Sequence, residues 1–335
     1  MSYLNYFVVC SPLQLINATE AKEKFKLPND ECLLIILNLY GPANYNQIKN
    51  VLIDYTWSNI EIISLSNKDS KLLFPIKFRK EIRAYKGTEV AKLFIGEFFA
   101  FEIRALANVL SYKELILFDD GNAILKTIGH LLDKRPESFN LHQLLRKIYY
   151  RLSGLKIIEY KTVTIFTAYA DLFHSAKELS IIKNEYTISK RLNSKKEATN
   201  EIFFLGTQLV ERGLIQFSNY QKHLERAISL LEQKNNTKVI YIPHRKELNE
   251  KLDLLRNNIG LTIRKIPVSI ELYLLKSDCK PAMISTFFSS AIFSLDFIFG
   301  DEISKNCFLL GLANGRISKS YEEYRNLGIE VIEDY

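Results

Sequence analysis

The sequence predicts an α/β protein made of two Rossmann-like, parallel-sheet domains facing a cleft. Three observations predict it. Short runs of Val, Ile, Leu and Phe recur without polar alternation, as in strands buried on both faces. Longer amphipathic segments separate these runs, as crossover helices do. The alternation lapses once, in the polar stretch 189–200, and then resumes, so a chain of 335 residues divides into two domains of ordinary size. The expected boundaries are 1–190 and 200–335, with 189–200 as the linker.

In the first domain, residues 3–10 read as a strand running into Ser11-Pro12, an N-cap residue followed by a proline suited to the first helical position. Residues 31–39 and 60–65 read as strands on either side of a helix over 44–55. The stretch 88–110 reads as one long helix. Its most apolar part is interrupted by Glu97, Glu102 and Arg104, which suits a buried helix and not a membrane span. Residues 114–118 form a strand that ends on Asp119-Asp120-Gly121, and a helix follows over 123–132. The pattern weakens between 136 and 186, where 141–152 is helical and basic and 162–166 is strand-like. The second domain repeats the alternation, with strands at 201–205, 238–242, 261–265, 282–286, 307–310 and 329–333. Helices are expected between them at 220–233, 246–257, 270–276, 289–295 and 321–327.

Composition narrows the function classes. A hydrophobic fraction of 47% against 25% charged residues provides a core for each domain and excludes a largely disordered chain. The net charge of +7 favours anionic partners such as nucleic acid, lipid headgroups or a nucleotide sugar. No Arg-rich tail or single-sign tract points to a dedicated nucleic-acid binder. Cys10, Cys32, Cys279 and Cys307 form no CxxC and sit in or beside apolar runs, which predicts buried free thiols in a reducing compartment. The N-terminus lacks the basic and apolar regions of a signal peptide, so the expected location is the cytoplasm.

In open α/β sheets, ligands bind beyond the carboxyl ends of the strands. Three candidate sites fall there. Asp119 and Asp120 follow a strand, and neighbouring like charges with partial burial raise one carboxylate's pKa, as a general base requires. The plainer reading is an Asp-Gly turn with Asn122 capping the next helix. His244 follows a strand of the second domain beside Arg245 and Lys246, where imidazole can donate to a phosphoryl oxygen. His130, His142, His174 and His223 lie in or beside helical stretches and share no metal-ligand spacing. The run from Ser285 to Ser289 and Ser290 is hydroxyl-rich and opens a helix, a ready anion site, although plain N-capping accounts for one serine. Gly206, Thr207 and Gln208 end the first strand of the second domain, with a glycine for close approach and two hydrogen-bonding side chains. Glu271 could accept two ribose hydroxyls, or be a solvated helix carboxylate. There is no Walker A, GxGxxG, DxD or GxSxG motif, so a nucleotide ligand calls for a site without metal or other cofactor.

Taken in order, these motifs resemble the bacterial sialyltransferases, especially glycosyltransferase family 52, the lipooligosaccharide sialyltransferase group. That family carries an acidic-acidic-Gly motif, a His-Pro motif and a Ser-rich motif; the counterparts here are Asp119-Asp120-Gly121, His244-Arg245 and Ser289-Ser290. Ser11-Pro12-Leu13-Gln14 resembles the family's start, Gly206-Thr207-Gln208 its nucleotide loop, and residues 267–271 its ribose-binding segment. Arg245 departs from the family's proline. The resemblance implies a GT-B arrangement and an inverting, metal-independent transfer from a CMP-nonulosonate donor to a glycan acceptor of lipooligosaccharide or capsule. It places the acceptor on the first domain and the donor on the second. Asp119 would deprotonate the acceptor, with Asp120 positioning or replacing it. His244 would support the leaving CMP phosphate, Ser285, Ser289 and Ser290 would hold it, and Glu271 would read the ribose. Another nucleotide sugar, or a non-catalytic binding partner in capsule assembly, is the alternative. The basic segments 77–86 and 146–161 are candidates for peripheral contact with an anionic inner membrane, against the plainer reading of solvated helix faces. An oligomer is compatible with the sequence.

Overall fold

The computed structural model describes residues 4–39, 41–53, 55–64, 73–121, 123–133, 141–157, 162–173, 178–311 and 315–335. Asn122, Lys161, His174 and the side chain of His142 lie outside the described residues. The chain splits into two compact units, Met1–Ser189 and Lys190–Tyr335.

The first unit runs β1 (Asn5–Val9), α1 (Pro12–Lys24), β2 (Cys32–Asn38), α2 (Pro42–Leu52), β3 (Ile60–Ser64), α3 (Phe74–Ile82), β4 (Glu89–Ile95), α4 (Phe101–Ala107) and β5 (Ser111–Phe118). It continues with α5 (Ala123–Asp133), α6 (Leu141–Leu152), β6 (Thr164–Thr167) and β7 (Ser180–Lys183). The sheet order is β3-β2-β1-β4-β5-β6-β7, and every pairing is parallel. The helix α7 (Thr187–Asn193) spans the boundary. The second unit contains β8 (Glu197–Ala198), β9 (Ile202–Leu205), α8 (Phe217–Asn235), β10 (Val239–Ile242), α9 (Asn249–Ile259), β11 (Thr262–Ile263) and α10 (Ile270–Lys276). β12 (Cys279–Lys280), β13 (Met283–Thr286), α11 (Ala291–Phe299), β14 (Ser304–Phe308), α12 (Gly315–Asn326) and β15 (Glu330–Ile332) complete it. Its main sheet has the order β11-β10-β9-β13-β14-β15, and β8 pairs with β12 in a separate ribbon. Both main sheets follow the Rossmann winding, with the topological switch between β1 and β4 and between β9 and β13.

The central strands β1, β9 and β10 are buried at every position, as parallel strands covered on both faces must be. The single helix expected over 88–110 is instead the strand β4 followed by α4. β4 lies between β1 and β5, and Phe94 stacks on Phe7 with ring centroids 4.1 Å apart. A strand apolar on both faces has no period-two signature, so hydrophobicity alone does not distinguish it from a buried helix. The break falls at Gly96, where a Cβ would stand 2.6 Å from the Gln14 side chain. β7 occupies a stretch in which the sequence suggested no element, and α3 overlaps the basic segment 77–86, whose plainer reading was a solvated helix face.

The stretch expected as a linker is ordered as well. Its polar residues make buried hydrogen bonds: the Ser189 amide and hydroxyl both donate to Glu20 Oε1 at 2.7 Å, and Asn193 Nδ2 donates to Glu302 at 3.0 Å. Ser189 and Asn193 are buried, while Lys190, Arg191, Ser194 and Lys195 remain exposed. Three of the four thiols are buried as expected, whereas Cys279 is exposed on the short β12. Among the described residues, no helix is long and apolar enough to cross a membrane.

α1 is polar on a buried side. Ser11, Gln14, Asn17 and Glu20 recur every third residue, so they share one face of the helix. Gln14 Oε1 accepts from the Cys10 amide at 2.7 Å, and Asn17 bridges the Asp119 carbonyl (2.9 Å) and the Asn184 amide group (3.1 Å). Glu20 accepts from the Ile188 and Ser189 amides at the start of α7.

Candidate active site

In the first unit, β5 carries the acid pair to the carboxyl edge of the sheet between β4 and β6. The two carboxylates have different surroundings. Asp119 is 2% exposed; its Oδ2 accepts from the Ala168 amide at 2.8 Å, and its Oδ1 is buried with no hydrogen-bond partner among the described residues. Burial pushes its pKa up to about 7, against the lowering effect of the Thr167 hydroxyl and Ala168 amide and with a smaller contribution from the Asp120 charge. Asp120 is partly exposed. Its Oδ1 accepts from the Ser11 hydroxyl at 3.4 Å, and the Gln14 side chain also donates to it. Burial raises its pKa too, and these two donors oppose the rise. Ser11 is the N-cap of α1 and accepts from Gln14 N at 3.2 Å, so Asp120 lies at the positive end of that helix. Gly121 turns the chain away with φ +60°, a conformation that favours glycine.

In the second unit, the candidate residues other than Glu271 lie on or just after three neighbouring strands, β10, β9 and β13. Gly206 follows β9, and its amide donates to the Ile242 carbonyl at 2.8 Å. A Cβ at this position would stand 2.1 Å from Glu247 Oε1 and 2.5 Å from the Tyr241 hydroxyl. Gly206→Ala is therefore expected to destabilise this unit by about 1–3 kcal/mol through overpacking, read as a lower melting temperature. Thr207 is buried. The Gln208 amide oxygen, turned toward Arg212, accepts from Nη2 at 2.7 Å and Nε at 3.2 Å.

His244 follows β10. Burial lowers its pKa to about 4, reinforced by the charges of Arg245, Lys246 and Arg212 and opposed by Glu211, so the ring is neutral at physiological pH. The Lys246 amide lies 3.2 Å from Nδ1 and can only donate, which makes Nδ1 the acceptor and puts the ring proton on Nε2. The His244 backbone amide donates to Glu247 Oε1 at 2.7 Å. Glu247 Oε2 in turn accepts from the Tyr241 hydroxyl at 2.8 Å and pairs with Lys251 at 3.0 Å; Lys251 also donates to the Thr207 carbonyl at 3.0 Å. One buried network thus fixes both the His244 loop and the Gly206 loop.

Beyond β13, the hydroxyl of Tyr324 accepts from the Ser289 amide at 3.2 Å and donates to its carbonyl at 2.9 Å. Ser290 is exposed at the N-cap of α11, and its side chain makes no capping bond. Glu271 is buried in the first turn of α10 and accepts from the Ser294 hydroxyl of α11 at 2.6 Å. Glu271 is thus tied to the helix that Ser290 opens. Ser285 is set apart: it lies inside β13, fully buried, with no hydrogen-bond partner for its hydroxyl among the described residues. That placement leaves Ser289 and Ser290 as the hydroxyls at the helix start.

Sequence reasoning did not single out Arg212, Tyr241, Glu247, Lys251 or Tyr324. Glu247 and Lys251 carry a signal in their four-residue spacing, but that spacing ordinarily marks an exposed helical pair. Among the described residues, no group of three or more His, Cys, Asp or Glu side chains could hold a metal ion.

No protein-family model matches the chain, and no curated protein matches it in sequence. Solved structures do resemble it. The GT-B domain of a sialyltransferase from Photobacterium damselae superposes with a TM-score of 0.52 at 14% identity, over 99% of both chains. An α/β-galactoside α-2,3-sialyltransferase from the luminous marine bacterium Photobacterium phosphoreum gives 0.53 at 11% identity, over 99% of this chain and 98% of that one. A protein assigned as a UDP-N-acetylglucosamine 2-epimerase, from Listeria monocytogenes, gives 0.51 at 12% identity, over 92% of this chain and 79% of that one. At these identities the likeness is one of fold. The chain has the two-unit α/β fold of the GT-B class, which bacterial sialyltransferases share.

Proposed function

We propose that the protein is an inverting glycosyltransferase that moves sialic acid, or a related nonulosonic acid, from its CMP donor to a terminal sugar of a surface glycan, in the manner of glycosyltransferase family 52. The observation that carries the proposal is the acid pair at the carboxyl end of β5: Asp120 partly exposed, Asp119 buried beside it. A general base must touch the proton it removes, and this geometric requirement comes before its pKa. Of the pair, Asp120 is the partly exposed member, which supports it as the base with Asp119 as its buried neighbour.

In the reaction, the first unit holds the acceptor and the second the donor. Asp120 takes the acceptor hydroxyl proton as that oxygen bonds to the anomeric carbon. The bond from that carbon to the phosphate oxygen breaks on the opposite face, and its electron pair leaves with CMP. Neutral His244 donates its Nε2 proton as a hydrogen bond to the phosphate, and the hydroxyls of Ser289 and Ser290 at the start of α11 add to it. No metal or other cofactor takes part in this scheme. Glu271 accepts from the ribose hydroxyls, and Gly206, Thr207 and Gln208 border the nucleotide.

The test is CMP release from CMP-Neu5Ac in EDTA with galactose-terminated acceptors. Wild type should release CMP only when acceptor is present, and His244→Ala should be about 100-fold slower, the cost of losing one donor to developing charge. Release from a UDP-sugar in place of CMP-Neu5Ac would assign a different donor, a reading favoured by the shared fold with the epimerase and by Arg245. CMP binding without turnover would leave a binding partner in glycan assembly.

A further inference from the structure

The helix α6 presents its apolar residues to the outside. Leu141, Leu144, Leu145, Ile148 and Leu152 follow the i, i+3, i+4, i+7, i+11 pattern of one helical face, and all five are exposed, Leu145 by 57% and Leu152 by 82%. The opposite side of the helix is its anchor. Tyr150 is buried, its hydroxyl donates to Glu102 of α4, and Arg146 pairs with the same carboxylate at 2.7 Å. Exposed Lys147 and Arg151 flank the apolar face, and α6 contains no acidic residue. A groove of about 670 Å³ runs beside it, lined by Leu144, Ile148 and Ile157 together with Lys147, Arg151 and Lys156. α3 extends the surface: Arg79 Nη1 reaches the Ser153 carbonyl just beyond α6 at 3.5 Å, and Ile76 and Lys80 of α3 are exposed.

We propose that this face of the first unit rests on a membrane leaflet containing anionic lipid, with α6 lying in the interface. The charge pattern selects that occupant. The surface is apolar at its centre and cationic at its rim, so its complement is apolar with an anionic margin, which acyl chains beneath acidic headgroups supply. The proposal is independent of the transfer reaction, because α6 carries none of the residues assigned to it.

Flotation of the full chain with vesicles tests it. Vesicles of phosphatidylcholine with an equal share of phosphatidylglycerol should carry the protein, and phosphatidylcholine alone should carry far less. Binding should weaken with salt. Lys147→Gln and Arg151→Gln should each lower partitioning about fivefold. Ile148→Glu with Leu152→Glu should lower it more than tenfold while leaving the circular-dichroism spectrum and melting temperature unchanged, because both side chains are already exposed. Equal binding to both vesicle types, or vesicle binding untouched by the Glu variants, would overturn the proposal. So would a wild-type dimer, seen by sedimentation, that the Glu variants split into monomers, since the face would then belong to a second copy. An acidic protein that competes with the vesicles only through the cations, with the Glu variants silent, would overturn it as well.

Discussion

Asp120→Asn is expected to slow turnover by about 10²–10⁴-fold, whereas Asp119→Asn keeps most of it and leaves the acidic limb of the pH profile in place. The first effect is the loss of a positioned base. The second follows from the order of ionisation. Asp119 keeps its proton until about pH 7, raised chiefly by burial and in part by the charge already on Asp120, so a neutral amide in its place leaves the charge around Asp120 unchanged while Asp120 titrates. The acidic limb of kcat/KM should therefore keep its position. The opposite pattern, with Asp119→Asn inactive and Asp120→Asn near normal, would return the base to Asp119 and would require the pair to open for the acceptor.

Asp119→Asn also has a consequence for stability. Asp119 holds its proton in the folded state up to about pH 7, while the unfolded chain releases it near the ordinary carboxyl value of 3.8. Between those values the folded state binds the extra proton, so this group's contribution to stability falls as pH rises and the penalty is complete above about pH 7. Asp119→Asn should therefore raise the melting temperature at pH 8, by about 2–4 °C for each kcal/mol relieved, and the gain should shrink toward zero by pH 4.

Glu247→Ala is the second large effect, expected to cost the second unit about 3 kcal/mol. It leaves Lys251 buried without its nearest counter-charge, and it takes the acceptor away from both the His244 amide and the Tyr241 hydroxyl. Glu247→Leu combined with Lys251→Met should recover much of the stability, because an apolar pair of similar volume avoids burying charge. It should not recover turnover, because the His244 amide is still without its acceptor and the loop carrying the imidazole is no longer fixed. Thermal denaturation and kcat, measured on the same two proteins, separate these outcomes. Recovery of both would make the network purely structural.

Legibility in the sequence depended on whether a signal was local. Ser11-Pro12 opens a helix because capping involves only neighbouring residues, and the structure places the cap there. Most strands were readable for the same reason. β7 gave no signal, and β4 was misread because its two covered faces remove the alternation that would mark it. The positions of Asp120, His244 and Ser290 after their strands could be anticipated, because βα connections place such residues by rule. Which carboxylate is buried could not be, because it depends on Ala168, an amide from a strand end far along the chain. Glu247 and Lys251 were missed because their spacing is identical to that of an exposed pair. The basic character of α6 was visible, but its outward apolar face was not: which side of a helix is buried is decided by its anchor, here Glu102 of α4.

The polar stripe of α1 bears on how the first unit is made. α1 precedes the rest of the unit in synthesis, yet the groups that satisfy its buried Asn17 and Glu20 come from Asp119, Asn184 and Ser189, the last of these 169 residues beyond Glu20. Until those segments exist, Asn17 and Glu20 have only water as a partner, and packing α1 against the sheet would strand both side chains. The acid pair thus reaches its final environment only when nearly the whole unit has emerged. A chain interrupted before Asn184 can form its early strands, but it lacks the bonds that lock α1 against Asp119 and Asp120.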